Sequence, residues 1–292
     1  MAQLLKLMIV TVFLGMAASE FIPFPGGDTK FHEWMNTIYT RTTIDPKTME
    51  RVKKYVEETI KQITDIVKAT DDCFDFVRLR GSNAEGLKIV FPDEFDFVMY
   101  NERDKDKIFF DEKQGLPGFA YAIRKGAGST CFDKFQLKDP KGAVDPVKTR
   151  DHMKALVVLA LKKLGIKSIV TEVGPAINFF LKSKEATFPE IDIDLVLYLH
   201  QADWPKSATV DLKPDLKALG VGLTPKVIKD DDRVWVISFS DIEVKLFQNI
   251  DADGGIRKKL LRVAKYLKLA TKWPKTVSSH DLKTIIMRMN HE

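Results

Sequence analysis

Two short acidic patterns, Glu94-Phe95-Asp96 and Asp192-Ile193-Asp194, are the residues of this chain best suited to chemistry. Each lies in an apolar run, "EFDFVMY" and "IDIDLVLYLH". Side chains alternate across a strand, so the two acids of each run share one face and the apolar residues between them share the other. Carboxylates crowded on a half-buried face repel one another and lose hydration unless a cation or an Arg or Lys neutralises them. With the two runs as neighbours, three or four carboxylates converge. An all-oxygen set of that kind suits Mg²⁺ or Mn²⁺ rather than zinc. A solvent-facing pair of strand acids is the bland alternative, and it is common.

Gly81-Ser82, just upstream of Glu94, supplies a complement. The glycine lets backbone approach a phosphate closely, and the Ser82 hydroxyl with the amides of a following helix start can donate to it. Taken singly, Gly-Ser and Glu-x-Asp carry no weight. In the order Gly-Ser, eleven residues, Glu-x-Asp and a later Ile-Asp-hydrophobic strand, they point to two-ion nucleotidyl transfer.

The elements that must position these residues are legible around them. Asp45-Pro46 reads as a helix N-cap followed by Pro at the first helical position. After it, Met49, Val52, Val56, Ile60, Ile63 and Val67 recur at helical spacing. "FDFVRLRG" reads as a short strand ending at Gly81-Ser82, and "LKIVF" and "EFDFVMY" as two strands joined at Pro92-Asp93. Residues 101–143 are mixed and rich in Gly and Pro. "VDPVKTRDHMKALVVLALKKLG" reads as a second helix stopped by Gly165. Strands are expected at "KSIVTEV", "AINFFLKS" and "EIDIDLVLYLH". "VWVISFSDIEVKLF" begins as a strand and turns helical. Two helices close the chain, the basic "IRKKLLRVAKYLKLAT" and "SSHDLKTIIMRM", the latter capped by Ser278 or Ser279. Long helices around a mixed sheet give an α+β, bilobal chain.

Composition bounds the rest. At 292 residues with 45% hydrophobic and 30% charged residues, the chain suits a globular protein of one large or two smaller lobes. The net charge of +5 is unevenly placed: residues 138–167 hold eight Lys or Arg against three Asp, and residues 256–292 hold ten against two acids. Such faces suit an anionic partner, although solvated helix surface gives the same pattern. The two cysteines, Cys73 and Cys131, rule out a disulfide framework and a Cys/His zinc site, and read as small core residues in a reducing compartment. "MAQLLKLMIVTVFLGMAASE" has the form of a secretory signal and is too short to span a membrane. An amphipathic or buried helix, or a misplaced start, fits it as well. "DADGG" is a turn rather than a calcium loop, because Arg262 stands where the loop needs Glu. "RKGAGST" lacks P-loop spacing.

The order "GSNAEGLKI", "PDEFDFVM", "IDIDLVLYL" followed by "DWP", "VWVISFSDIE", "LLRVAKYLK" and "SSHDLKT" resembles cyclic GMP–AMP synthase and its animal relatives, the cyclic GMP–AMP synthase-like receptors. The resemblance runs from about residue 46 to the end. It implies a bilobal nucleotidyltransferase fold: after a signal-like or disordered leader over 1–25, read from its own residues, a nucleotidyltransferase core over 26–200, and over 201–292 a helical C-terminal lobe expected to be truncated, since relatives continue for several helices after "LKT". It implies a metal-binding, catalytic triad of Glu94, Asp96 and Asp194, with Asp194 also the candidate base; Asp192 is an extra acid, read as supporting the ligands from behind or as structural. Ser82 would contact donor phosphates. Ser238, Ser240 and Glu243 match positions near the two nucleotides, Lys265 a phosphate-contacting lysine and Ser279 a phosphate-contacting serine. His280 stands where the synthase has a base-stacking Tyr, and Val236 where it has an Arg. "NIDADGGIRKK" replaces the synthase's zinc ribbon, so no zinc is expected and the chain is closer to the insect-type receptors.

The expectation is therefore an enzyme that joins ATP and GTP into a cyclic dinucleotide with two Mg²⁺ or Mn²⁺ ions, as an innate immune messenger. Double-stranded RNA, ahead of DNA, is the expected activator, on Lys141, Lys148, Arg150, Lys154, Lys162, Lys163 and Lys167, with a ligand-induced dimer and no membrane contact. The expected location is cytoplasmic, unless the signal-like leader directs secretion. A non-catalytic relative acting as a binding or regulatory module, and a linear oligoadenylate or tRNA-end synthase, are the alternatives.

Overall fold

The computed structural model describes residues 27–126, 128–137, 142–210, 212–226, 233–254, 256–271 and 277–289. The expected leader and Lys141 lie outside them. In chain order the elements are helices α1 (Gly27–Thr42) and α2 (Pro46–Thr70), strand β1 (Phe76–Arg80), the one-turn helix α3 (Gly81–Ala84), β2 (Glu94–Tyr100), β3 (Ile108–Glu112), β4 (Phe119–Arg124) and a 3₁₀ turn at Asp133–Phe135. There follow α4 (Pro146–Lys163), β5 (Thr171–Val173), β6 (Ala176–Lys182), β7 (Glu190–Gln201), α5 (Pro214–Lys217), β8 (Val221–Thr224), β9 (Trp235–Ser238), α6 (Ser240–Asn249), α7 (Arg257–Ala270) and α8 (Ser279–Met289). The chain divides into two compact units, Asp45–Asn249 and Met1–Ile44 with Ile250–Glu292.

The larger unit is built on α2. The Asp45 carboxylate accepts from the Thr48 amide at 2.8 Å and Pro46 opens the helix. Val52, Val56, Ile60, Ile63 and Val67 form its buried stripe. Those side chains join Phe95 and Phe97 of β2, Ile191, Ile193 and Leu195 of β7, and Met153, Leu156 and Val157 of α4 in one core. The sheet runs β1-β2-β7-β8-β9-β4-β3, with β6 also on β7 and β5 on β6. Only the β2–β7 pair is parallel among the paired strands described. The result is the expected α+β architecture, with a mixed sheet and long helices consistent with a nucleotidyltransferase fold. The sheet passes through residue 200, where the sequence suggested a boundary, and continues into β8 and β9.

Three expectations change. "LKIVF" is not a strand: the amides of Leu87 and Lys88 both donate to the Ser82 carbonyl, at 2.7 and 3.0 Å, and Val90 adopts a positive φ of 66°. Those bonds curl the segment back over α3, so it cannot extend. Of "KSIVTEV", only Thr171–Val173 pairs with β6. The cysteines are not separate core thiols. Cys73, after α2, and Cys131, before the 3₁₀ turn, are joined in a disulfide. Sequence spacing cannot foresee that proximity, since 58 positions separate them. No helix among the described residues is long and apolar enough to cross a membrane.

Candidate active site

Alternation within β7 is as the sequence requires: Ile191, Ile193 and Leu195 are buried, whereas Asp192 and Asp194 are half-buried on the opposite face. In β2, Phe95 and Phe97 are buried while Glu94 is exposed and Asp96 half-buried. The parallel register sets Glu94 opposite Asp192 and Asp96 opposite Asp194. Strand β6 sets Asn178 opposite Asp194, and β1 sets Arg80 opposite Asp96. One row across four strands thus reads Arg80, Asp96, Asp194, Asn178.

The carboxylates do not stand bare. The buried Asn178 amide donates to Asp194 Oδ1 at 2.9 Å and also to Asp192. Burial pushes both aspartates above the ordinary carboxylate range, with Glu94 repelling both and Asp192 repelling Asp194, while Asn178 opposes the rise. On the other strand, Lys88 Nζ lies 2.8 Å from Glu94 Oε2 and 3.0 Å from Asp93 Oδ1. Burial alone would lower the Lys88 pKa, but Glu94 and Asp93 raise it on balance. With the side chains so engaged, no three His, Cys, Asp or Glu groups among the described residues converge on one ion-sized position.

The donor chemistry nevertheless fits a divalent ion. All four acids offer oxygen, all lie on one sheet face in direct register, and an ammonium already stands on Glu94 as a cation. Gly81 makes the link to the turn that carries Ser82. Its φ is +60°, and a Cβ there would lie 1.8 Å from Asp96 Oδ2. Only glycine lets that carboxylate meet the turn carrying Ser82, which is half-buried. Asn83 Nδ2 donates to the Glu94 carbonyl at 2.5 Å, tying the same turn to the start of β2.

A second buried contact latches α6 beside this turn. Arg80 bonds to Asp241 and to the Tyr100 hydroxyl, which itself donates to Asp241 Oδ1 at 2.8 Å. Asp241, Ser240 and Glu243 lie in the first turn of α6, and Ser238 ends β9, its hydroxyl accepting from the Ser240 amide at 3.4 Å. Val236 is a β9 residue paired with Thr224 and Phe119. The larger unit therefore holds Ser82, Glu94, Asp96, Asp194, Val236, Ser238, Ser240 and Glu243. Lys265 of α7 and Ser279 and His280 of α8 belong to the other unit, where Ser278 caps α8 by accepting from the Asp281 amide at 3.1 Å.

The expected basic surface is sorted by its partners. Arg150 is buried, bonded to Glu172 and to the Gly174 carbonyl, and Lys154 pairs with the same glutamate at 2.9 Å. The Arg150 guanidinium is thus already engaged by protein partners. Lys148, Lys162, Lys163 and Lys167 are exposed. Sequence reasoning passed over Lys88, Asn178, Arg80 and Asp241. Arg80 adjoins Gly81-Ser82 and Lys88 sits in the run leading to Glu94, so position was the one signal that could have found either. Nothing in the sequence marked Asn178, because its role depends on strand pairing.

A model of the Mab-21 protein nucleotidyltransferase domain matches residues 83–249. Among curated proteins, "Protein mab-21-like 3" of Danio rerio is 29% identical over 142 residues, covering 44% of this chain and 35% of that protein. The match thus takes in about a third of that relative's length.

Proposed function

This chain belongs to the Mab-21 nucleotidyltransferase-domain family, and from that premise we propose that it is a metal-dependent nucleotidyltransferase. The observation that carries this reading is the register that puts Glu94 beside Asp192 and Asp96 beside Asp194 on one sheet face, with the Gly81–Ser82 turn against Asp96. Divalent ions, when bound, supply charge neutralisation at the transferred α-phosphate and the leaving pyrophosphate. Glu94, Asp96 and Asp194 would hold them. The Ser82 hydroxyl would donate to donor phosphates, and Asp194 would take the proton of the attacking hydroxyl as the bond to pyrophosphate breaks. Ser238, Ser240 and Glu243 would line the nucleotides from the strand-to-helix corner that Arg80 and Asp241 fix.

The sequence motifs support a finer reading: ATP and GTP as substrates, a cyclic dinucleotide of the GMP–AMP type as product and immune messenger, and double-stranded RNA as activator on the exposed lysines of α4. A ligand-induced dimer and a cytoplasmic setting belong to the same reading. Its test is incorporation of labelled ATP and GTP with Mg²⁺ or Mn²⁺, with and without long double-stranded RNA, the products resolved by nuclease sensitivity. Losing one carboxylate forfeits about 3 kcal/mol of transition-state stabilisation, so Glu94→Ala should slow incorporation about a hundredfold. Equal, product-free traces from wild type and Glu94→Ala with every nucleic acid tried would defeat it.

The engagement of Glu94 by Lys88 and of Asp192 and Asp194 by Asn178 favours one alternative, a non-catalytic member that keeps the fold as a binding module. Nucleotide binding detected by calorimetry without any incorporation would select it.

A further inference from the structure

Lys88 is a half-buried lysine with two acidic partners, and its position is set by backbone. Its amide donates to the Ser82 carbonyl at 3.0 Å, so its Cα is fixed to the turn that carries Ser82. The Nζ reaches Glu94 Oε2 at 2.8 Å and Asp93 Oδ1 at 3.0 Å, and the lysine side chain is only 9% exposed. Glu94 is half open to solvent, at 51%, so its carboxylate is reachable from outside while the lysine is not. Asp93, at 45%, offers a neighbouring carboxylate at the same ammonium.

We propose that the Lys88 ammonium is a built-in counter-ion at Glu94, which a divalent cation must displace before Glu94 can act as a ligand. The inference rests on the metal-dependent reading of the site. A lysine ammonium held on Glu94 Oε2 repels a divalent cation arriving at either oxygen of that carboxylate, because like charges a few ångströms apart in a partly buried site interact strongly. Asp93 makes displacement feasible, since the ammonium keeps one carboxylate when it gives up the other and is never left buried and unpaired. The anchored Lys88 amide keeps the exchange local: the side chain swings while its backbone stays on the Ser82 turn. Ion-free, Glu94 keeps the protein's own cation.

The test is Mn²⁺ binding to the full chain without nucleotide, read by loss of the free-ion electron paramagnetic resonance signal. Lys88→Met, which keeps the apolar stem and removes the charge, should bind Mn²⁺ about tenfold more tightly than wild type, which corresponds to about 1.4 kcal/mol. Lys88→Arg should not tighten binding, and Lys88→Met in a Glu94→Gln background should show no gain over Glu94→Gln alone. If wild type and Lys88→Met bind Mn²⁺ equally while Glu94→Gln weakens both, the counter-ion is refuted and the metal reading survives. If none of the proteins binds Mn²⁺, both fall. Should Lys88→Met fail to fold, the side-chain ammonium resonance of Lys88 in ¹⁵N-lysine-labelled wild type decides. It should shift on saturation with Mg²⁺, and an unmoved resonance overturns the proposal.

Discussion

Gly81 carries two constraints at once, a φ of +60° and an Asp96 carboxylate where a Cβ would stand. The first favours glycine for any backbone of this shape, and the second makes the residue specific to this site. Gly81→Ala should therefore cost at least about 2 kcal/mol in a urea titration, from left-handed strain and the forced movement of Asp96. Incorporation should fall more steeply than stability does, since the displaced group is one of the three acids. A variant as stable as wild type would show that the turn yields easily. The same close approach explains why the motif is legible: two residue types, glycine and a paired acid, are both demanded by one contact.

Helix α2 shows how far local pattern reaches. Its cap, its proline and its apolar stripe were all readable, because each depends on residues within a few positions of one another. Its far end depends on distant partners. There Asp71 accepts from His152 Nε2, 2.6 Å away on α4, and from Lys134 Nζ at 2.5 Å. Burial alone would raise the Asp71 pKa, but the bonds from Lys134 and His152 hold it below the usual aspartate range. A folded-state pKa below the unfolded one stabilises the protein above about pH 4, and that contribution is lost as the pH falls through the folded value. Asp71→Asn should lower the urea midpoint at pH 6, and the difference from wild type should shrink at pH 3. A gap that stays constant over that range would assign Asp71 a role independent of its charge. The misread strand "LKIVF" is the opposite case: five residues of good strand propensity are folded back by two hydrogen bonds to Ser82, a local contest that apolar pattern cannot score.

At the scale of the molecule, two features tie distant parts of the larger unit together. The Cys73–Cys131 disulfide closes a span of 58 positions, and a loop of that length stabilises the folded state by about 4 kcal/mol in the chain-entropy account. Intact mass under non-reducing conditions should be about 2 Da below that of the reduced chain, and dithiothreitol should lower Tm by several degrees. Unchanged mass and Tm would mean that both thiols stay free in solution. The second feature is the division of the basic face. Lys162→Glu with Lys163→Glu and Lys167→Glu should weaken double-stranded RNA binding and flatten its dependence on salt, as expected when phosphate contacts are lost. Arg150→Ala should instead destabilise the fold, because it removes a buried side chain together with its bonds to Glu172 and the Gly174 carbonyl. RNA binding that follows Arg150 and ignores the three lysines would reverse this assignment.

The α+β class, helix α2, the alternation that puts Glu94 with Asp96 and Asp192 with Asp194, and the glycine turn before them are all legible in the residues alone. Each follows from a period of 2 or 3.6, or from a backbone angle that few residues tolerate, and such rules act over short stretches of chain. Which strands become neighbours emerges only on folding, and with it the pairing of Glu94 to Asp192, the bridge of Asn178 across two aspartates and the joining of Cys73 to Cys131. Folding also sets which charges meet, placing Arg150 on Glu172 and Lys88 on Glu94. The physical reason is that a charge takes its meaning from whatever lies within a few ångströms, and the chain brings those neighbours from far along its length.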